Sequence, residues 1–423
     1  MKLNLIQDAS NLQDKTVIVR VDYNVPLKEQ DGQMVVRNDK RIQDSVKTIN
    51  FLRENNCRII LISHLGRPGG EAKPELSLAP VAKHLTENLN LATKFSPDVV
   101  SDKNKNLIEE LRPGEILLLE NLRFKPGEKK NNPQLAEQLA SYADIYVNEA
   151  FSTSHRAHAS MVGISKHIPA YAGFHVQQEV NQLSKLLEEP ETPFVMVIGG
   201  AKISDKVEAV KNLDKVASLV LVGGGVANNF LKAGGLETHK SYLEDKPADE
   251  KKEGVDYVKV AGELIEENKT EKILKDGYIP LPKILYPIDV KAAENPDSDV
   301  AEIINLSTGM KDTPEDKNMM YLDLGPRTIR LYQEMILQAR TIFWNGPMGV
   351  FENDEFAEGT EAIARAIAKS GAKTILGGGD TIAAIKKFEL EDRYDYVSSA
   401  GGASLDFLAG KKLPGLKVLT TTE

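Results

Sequence analysis

The sequence predicts an α/β protein built from two doubly wound parallel-sheet, Rossmann-like domains joined by a hinge helix. Three observations point to that class. The chain has 423 residues, too many for one ordinary hydrophobic core. Short β-branched runs recur along it, each ending abruptly in Gly, Asn, Asp, Arg or His. Helix-like stretches separate the runs, as parallel strands with crossover helices require.

In chain order, residues 17–21 run into Asp22-Tyr23-Asn24, and residues 58–62 into Ser63-His64-Leu65-Gly66-Arg67. Residues 116–119 lead to Glu120-Asn121-Leu122-Arg123, and residues 145–147 to Asn148 and the polar stretch through His158. Residues 177–189 read as a polar connecting helix, broken by Pro190 and Pro193. Beyond it the runs 194–198, 219–222, 342–344 and 375–376 end in Gly199-Gly200, Gly223-Gly224-Gly225, Asn345-Gly346-Pro347 and Gly377-Gly378-Gly379-Asp380. Helical spacing appears over 205–217, 361–369 and 381–388. The pattern assigns 1–174 to a first domain, 175–192 to a hinge helix and linker, and 193–404 to a second domain. The Lys- and Glu-rich stretch 243–268 reads as a solvated face, and 295–316 as irregular surface loop.

Composition narrows the function. A net charge of −9 argues against a general nucleic-acid or anionic-membrane binder, which needs a broad basic surface. The apolar runs are strand-sized, short of a membrane span. Cys57 is the single cysteine, so no internal disulfide forms and a structural thiol in a reducing compartment is expected. A cytoplasmic protein is the expectation from these features; a monomer is expected too, though composition does not reveal it.

The two halves carry different chemistry. The first places Arg20, Arg41, His64, Arg67, Arg123, His155, Arg156 and His158 just after strands, a pattern suited to a small polyanion. Asp22 and Asn24 suit hydroxyls of the same ligand, and His64 reads as a hydrogen-bond donor rather than a general base. His155 and His158 lack a nearby third ligand, which argues against zinc. The second half ends its strands in glycines, where backbone and helix N-termini approach phosphate closely. Lys202 and Lys206 add charge there, and Asp380 suits Mg²⁺. Neither a complete G-x-x-x-x-G-K-[ST] nor a complete G-x-G-x-x-G occurs, so the P-loop and dinucleotide fingerprints do not apply. A kinase acting on a small phosphorylated acid follows, without the substrate's identity.

Longer motifs supply that. Val19-Arg20-Val21-Asp22-Tyr23-Asn24-Val25-Pro26, Ser63-His64-Leu65-Gly66-Arg67-Pro68, Leu119-Glu120-Asn121-Leu122-Arg123-Phe124 and Ser154-His155-Arg156-Ala157-His158-Ala159-Ser160 resemble the phosphoglycerate kinase family. So do Gly199-Gly200-Ala201-Lys202-Ile203-Ser204-Asp205-Lys206, Trp344-Asn345-Gly346-Pro347-Met348-Gly349-Val350-Phe351-Glu352, Gly377-Gly378-Gly379-Asp380-Thr381 and Gly401-Gly402-Ala403-Ser404-Leu405. The resemblance spans essentially the whole chain in the family's order. It implies that Arg20, Asp22, Tyr23, Asn24, Arg41, His64, Leu65, Gly66, Arg67, Arg123 and Arg156 hold 3-phosphoglycerate or 1,3-bisphosphoglycerate. It implies that Lys206, Gly223, Gly224, Tyr321, Asn345, Glu352, Gly378, Gly379, Asp380 and Thr381 bind ATP or ADP, with Asp380 meeting Mg²⁺. The tail 405–423 would pack back on the first domain.

A carboxylate acceptor is already a nucleophile, so alignment and charge neutralisation are what such a protein must supply. Arg41 and Lys202 are expected to clamp the transferring group, with backbone N–H groups at Gly379 and Gly402. Closure around 173–189 would join the two ligands and exclude water. The chain departs from the family's pattern at Tyr321, Glu149, Ser152 and Ala400, where Gly, Asp, Gly and Gly are usual, and 236–283 is longer than usual. A degenerate nucleotide-binding scaffold would have lost Lys202, Arg41 or Asp380, and all three are present. A nicotinamide dehydrogenase would need the missing dinucleotide fingerprint.

Overall fold

The computed structural model describes residues 1–245, 254–269, 272–274, 277–306 and 318–420. The chain divides into two compact units, one of Met1–Asn181 with Lys412–Glu423 and one of Gln182–Lys411. The helix Phe174–Glu188 spans that division.

In the first unit six parallel strands stand in the order Thr93–Ser96, Ile116–Leu119, Arg58–Ile62, Thr16–Arg20, Ile145–Asn148, Ala170–Ala172. Val17, Ile18 and Val19 are fully buried, as the central strand of a sheet covered on both faces demands. The chain fills one side of Thr16–Arg20, then crosses to the other, which makes the carboxyl ends of Thr16–Arg20 and Ile145–Asn148 a switch point. Asp22 to Asn24 and the segment 149–156 leave from those two ends.

The second unit repeats the plan with Ile284–Leu285, Leu219–Val222, Phe194–Ile198, Thr341–Asn345, Lys373–Gly377 and Tyr396–Val397. Its switch point lies between Phe194–Ile198 and Thr341–Asn345. Here two backbones nearly touch, since a Cβ on Gly199 would collide with the Pro347 carbonyl and one on Gly346 with the Gly199 carbonyl. Gly346 also has φ +95, so glycine is needed there on both counts.

Several elements differ from the sequence reading. The stretch expected as irregular loop over 295–316 contains the strand Glu302–Asn305, which joins Asp289–Ala293 and Met320–Leu324 in an antiparallel sheet. The rest of that expectation, 307–316, falls outside the described residues. Only Ile304 of Glu302–Asn305 is buried, so this edge strand carries no apolar run to announce it. The parallel strand Thr93–Ser96 is equally polar. The connecting helix is less polar than expected: Val176, Val180, Leu183 and Leu186 form a buried stripe at helical spacing. The tail rejoins the first unit at Lys412, whereas the helix Gly402–Leu408 stays with the second. There Asn148 Nδ2 donates to the Gly415 carbonyl at 3.1 Å, and Leu3 bridges Thr420.

Glu149 ties the first sheet to the start of the connecting helix. Its Oε1 accepts from Thr48 Oγ1 at 2.5 Å and from the His175 N–H at 3.0 Å. Its Oε2 is buried without a hydrogen-bond partner, filling the space a Cβ on Gly173 would need. Burial pushes the Glu149 carboxyl up to about 7, against the opposing pull of His175 and these hydrogen bonds. A carboxyl raised in this way favours the folded state while protonated; the benefit is complete below its unfolded value near 4.5 and is lost as pH rises through about 7. Glu149→Gln should therefore gain stability relative to the parent between pH 5 and pH 8, by on the order of 2–3 kcal/mol in urea unfolding. A gap between the two proteins that does not change with pH would remove the linkage.

Candidate active site

Beyond the first sheet's carboxyl edge lies a cavity of about 830 Å³. Its lining includes Arg67, Arg123 and Arg156, together with Lys125, Lys129 and Lys130, and among the described residues no acidic side chain. So many cations around one space demand an anion to fill it. Arg123 shows the cost of assembling them. Burial, followed by the fields of Arg156 and Arg20, lowers its guanidinium to about 10, and its Nε is buried without a partner. Its Nη1 donates to the Gly66 carbonyl at 2.6 Å, and Arg156 Nε lies 3.0 Å from His155 Nε2.

A second group adjoins the cavity through Gly66. The Gly66 N–H donates to Asn24 Oδ1 at 2.9 Å, and Arg41 Nη1 donates to the Asn24 carbonyl at 2.9 Å. Arg41 also pairs with Asp22 Oδ2 at 3.3 Å, the oxygen that accepts from Ser152 Oγ. The departure at Ser152 thus gains a hydrogen bond that glycine lacks.

Beneath both groups runs a chain of buried donors. Ser160 Oγ donates to Glu128 Oε1 at 2.6 Å, and the Ser160 N–H to Glu128 Oε2 at 3.1 Å. Arg20 Nε donates to Ser160 Oγ at 3.1 Å, Arg20 Nη1 donates to the Val21 carbonyl, and Arg20 Nη2 meets His64 Nδ1 at 2.9 Å. Arg20, Glu128 and Ser160 are all fully buried. Burial, then the fields of Arg20, Arg123, Arg156 and His158, hold the His64 imidazole well below its ordinary value. Burial and the same arginines lower His158 to about 4.

At the second sheet's switch point a pocket of about 270 Å³ opens. Gly200, Ala201, Gly224 and Gly225 form its backbone edge, and Tyr242, Met320, Tyr321, Leu322 and Val350 its apolar wall. Glu352 and Asp380, both exposed, stand at its polar end. Lys206 Nζ donates to Asn345 Oδ1 close by; burial lowers this ammonium, and Asp205 and Asp380 pull it back up. Gly378, at φ +98, lets the chain turn against the Asn345 amide, so that the helix Gly379–Lys387 starts beside it. A Cβ on Gly379 or Gly402 would meet nothing within 4 Å. Lys202 is exposed just past Ala201.

Tyr321 is a fixed wall. Its hydroxyl donates to the Glu237 carbonyl at 2.9 Å, its N–H to Ser241 Oγ at 2.8 Å, and its ring stands edge-on to His239. The chain just past the helix Gly224–Ala233 thus braces the tyrosine through Glu237, His239 and Ser241. Tyr242, missed in the sequence, is 45% exposed and is the aromatic face open to the pocket.

Not every expected residue reaches these spaces. Tyr23 turns its ring into the core, where burial raises its hydroxyl, and the hydroxyl meets Ser45 Oγ at 3.0 Å. Leu65 is buried, with its N–H and carbonyl both bonded to Asn121. Gly223 lies under Met348, and Thr381 Oγ1 accepts from the Gly346 N–H at 2.7 Å, closing the switch point. Arg20 spends its donors on protein groups. Ser160 closes one of the sequence motifs with no role assigned to it, and Glu128 lies outside them all, in a Gly-Glu-Lys-Lys stretch. Among the described residues no group of three or more His, Cys, Asp or Glu side chains forms a metal site.

Comparison with known proteins agrees with this geometry. The family model described as phosphoglycerate kinase matches residues 6–411. A phosphoglycerate kinase of Pseudothermotoga lettingae is 43% identical over 417 residues, covering 99% of this chain and 98% of that protein. One from Moorella thermoacetica is 44% identical, with 97% of each covered. The solved phosphoglycerate kinase of Coxiella burnetii superposes with a TM-score of 0.81 at 38% identity, covering 99% of both chains. With coverage of this extent and identity well above what fold likeness alone would give, the chain belongs to the phosphoglycerate kinase family.

Proposed function

We propose that the chain reversibly transfers a phosphoryl group from 1,3-bisphosphoglycerate to ADP, giving 3-phosphoglycerate and ATP. The observation that carries this reading is the pairing, in one chain, of an acid-free cationic cavity with a glycine-edged pocket holding two exposed carboxylates. The cavity suits the phosphate and carboxylate of the acid, and the Asp22–Asn24–Arg41 group its hydroxyl. The pocket suits a nucleotide: apolar wall for the base, Glu352 for ribose hydroxyls, Lys206 and the start of Gly379–Lys387 for phosphates. Mg²⁺ would be held by Asp380 and phosphate oxygens, where it would offset charge on the nucleotide. A single exposed carboxylate fits an ion that keeps most of its ligands from phosphate and water.

Because the acceptor oxygen is anionic, no side chain has to remove a proton. The protein's part is to bring the two ligands in line and to neutralise the moving group, which we assign to Arg41, Lys202 and the backbone of Gly379 and Gly402. Closure about the helix Phe174–Glu188 belongs to the same proposal, as does a cytoplasmic setting in keeping with a buried Cys57 thiol raised by burial to about 11. The family match lends no support to a degenerate scaffold.

Incubation with MgATP and 3-phosphoglycerate in hydroxylamine should yield the hydroxamate of the acyl phosphate; ATP turnover with no trapped product would overturn the reading. Lys202→Ala should lower kcat by ~10²–10³-fold with little change in the KM for 3-phosphoglycerate. A variant that keeps full turnover would exclude Lys202 from the clamp. Tyr242→Ala should raise the KM for ADP by roughly tenfold through lost aromatic contact, and an unaltered KM would place the base elsewhere.

A further inference from the structure

The donor chain beneath the cationic cavity has a direction, and that direction has a chemical consequence. Ser160 Oγ sits 2.6 Å from Glu128 Oε1 and 3.1 Å from Arg20 Nε. Guanidinium nitrogen can only donate, so Ser160 accepts there and its own proton goes to Glu128. Arg20 Nη2 also can only donate, so His64 Nδ1, 2.9 Å away, must be an unprotonated acceptor. The neutral imidazole then carries its proton on Nε2.

We propose that Ser160 and Arg20, anchored on the buried Glu128, are positioning residues that lock His64 as the neutral Nε2–H tautomer, so that it offers a donor of fixed direction to the bound phosphoglycerate anion. This rests on the assignment of the cavity to that ligand. The lock stands on geometry: three buried side chains joined end to end, whose direction is set because the guanidinium at one end can only donate and the carboxylate at the other accepts. The groups facing His64 are Arg20, Arg123, Arg156 and His158, and the three arginines oppose a second proton on the ring. A histidine that binds an anion would ordinarily gain affinity by protonation. Here the cations around it already supply charge, and a tautomer fixed in advance spares the ligand any reordering of the ring.

The test is the long-range ¹H–¹⁵N spectrum of the full-length protein labelled at histidine, recorded without ligand from pH 5.5 to 8. His64, assigned by comparison with His64→Gln, should show a protonated Nε2 and an unprotonated Nδ1 throughout. A proton on Nδ1, or titration near 6.5, would overturn the proposal. Ser160→Ala removes the acceptor that holds Arg20 Nε; mixed tautomers or a titrating ring are expected, with a five- to tenfold rise, roughly, in the KM for 3-phosphoglycerate. Arg20→Lys is the second variant, since a lysine keeps the charge but cannot span both partners, and the same spectral change is expected. An unchanged tautomer in either folded variant would refute the lock. Added 3-phosphoglycerate should shift the Nε2–H resonance; no shift would count against the ligand's placement while leaving the tautomer result intact.

Discussion

The first unit depends on one electrostatic constraint: several cations are forced together at a sheet edge, and a fully buried carboxylate, Glu128, lies beneath them. Arginine guanidiniums cannot shed their charge to relieve such crowding, so the strain falls on groups that can. The lowered His64 and His158 record it. Glu128 reaches Arg20 through Ser160 rather than by direct contact, which spreads the countercharge and also orients the arginine. Removing one partner from a buried charged set of this kind typically costs about 3–5 kcal/mol, because the rest are left uncompensated. The cationic face is therefore stable only as a set, and its geometry is inherited from the core.

The second unit answers a different requirement. It brings few charges together; its difficulty is closeness of backbones. Gly199 and Gly346 let two loops cross at the switch point, and Thr381 fixes the crossing through the Gly346 N–H. Some glycines that look like ligand contacts in the sequence are met by protein: Gly223, outside the pocket lining, is covered by Met348. Others, such as Gly379 and Gly402, face open space. A glycine in a motif therefore reports only that something lies near; whether that is backbone or ligand is settled by the fold.

The parallel core was legible where its strands are continuous buried apolar runs, and every run read as a strand from 17–21 to 375–376 is one. Thr93–Ser96 and Glu302–Asn305 were not, since strands with few buried side chains lack that pattern. Arg67, Arg123 and Arg156 could be read from their place after strands, whereas Arg20 ends its strand and Arg41 lies in the helix Lys40–Gln43. What held them could not, because Glu128 and Ser160 stand 108 and 140 residues from Arg20 and nothing local marks either as buried. Tyr321 is the opposite case: visible as a departure, yet explained only by Glu237, Ser241 and His239 closing around it.

These two solutions divide the labour of one reaction. A phosphoryl group moving between two anionic oxygens needs charge that does not have to be reorganised as it passes. Fixed guanidiniums and a ring held in one tautomer meet that need on the side of the acid, where the ligand is small and its shape constant. On the nucleotide side of the proposed reaction the apolar wall of Tyr242, Met320 and Val350 would bind the base without competing for charge, leaving Lys206 and the helix start Gly379–Lys387 to the phosphates. Rigid charge in one unit and close backbone in the other are separate consequences of sequence, and each fails in its own way. A lost countercharge unsettles the cationic cavity through the core, whereas a side chain added at Gly346 would spread the two strands at the second switch point.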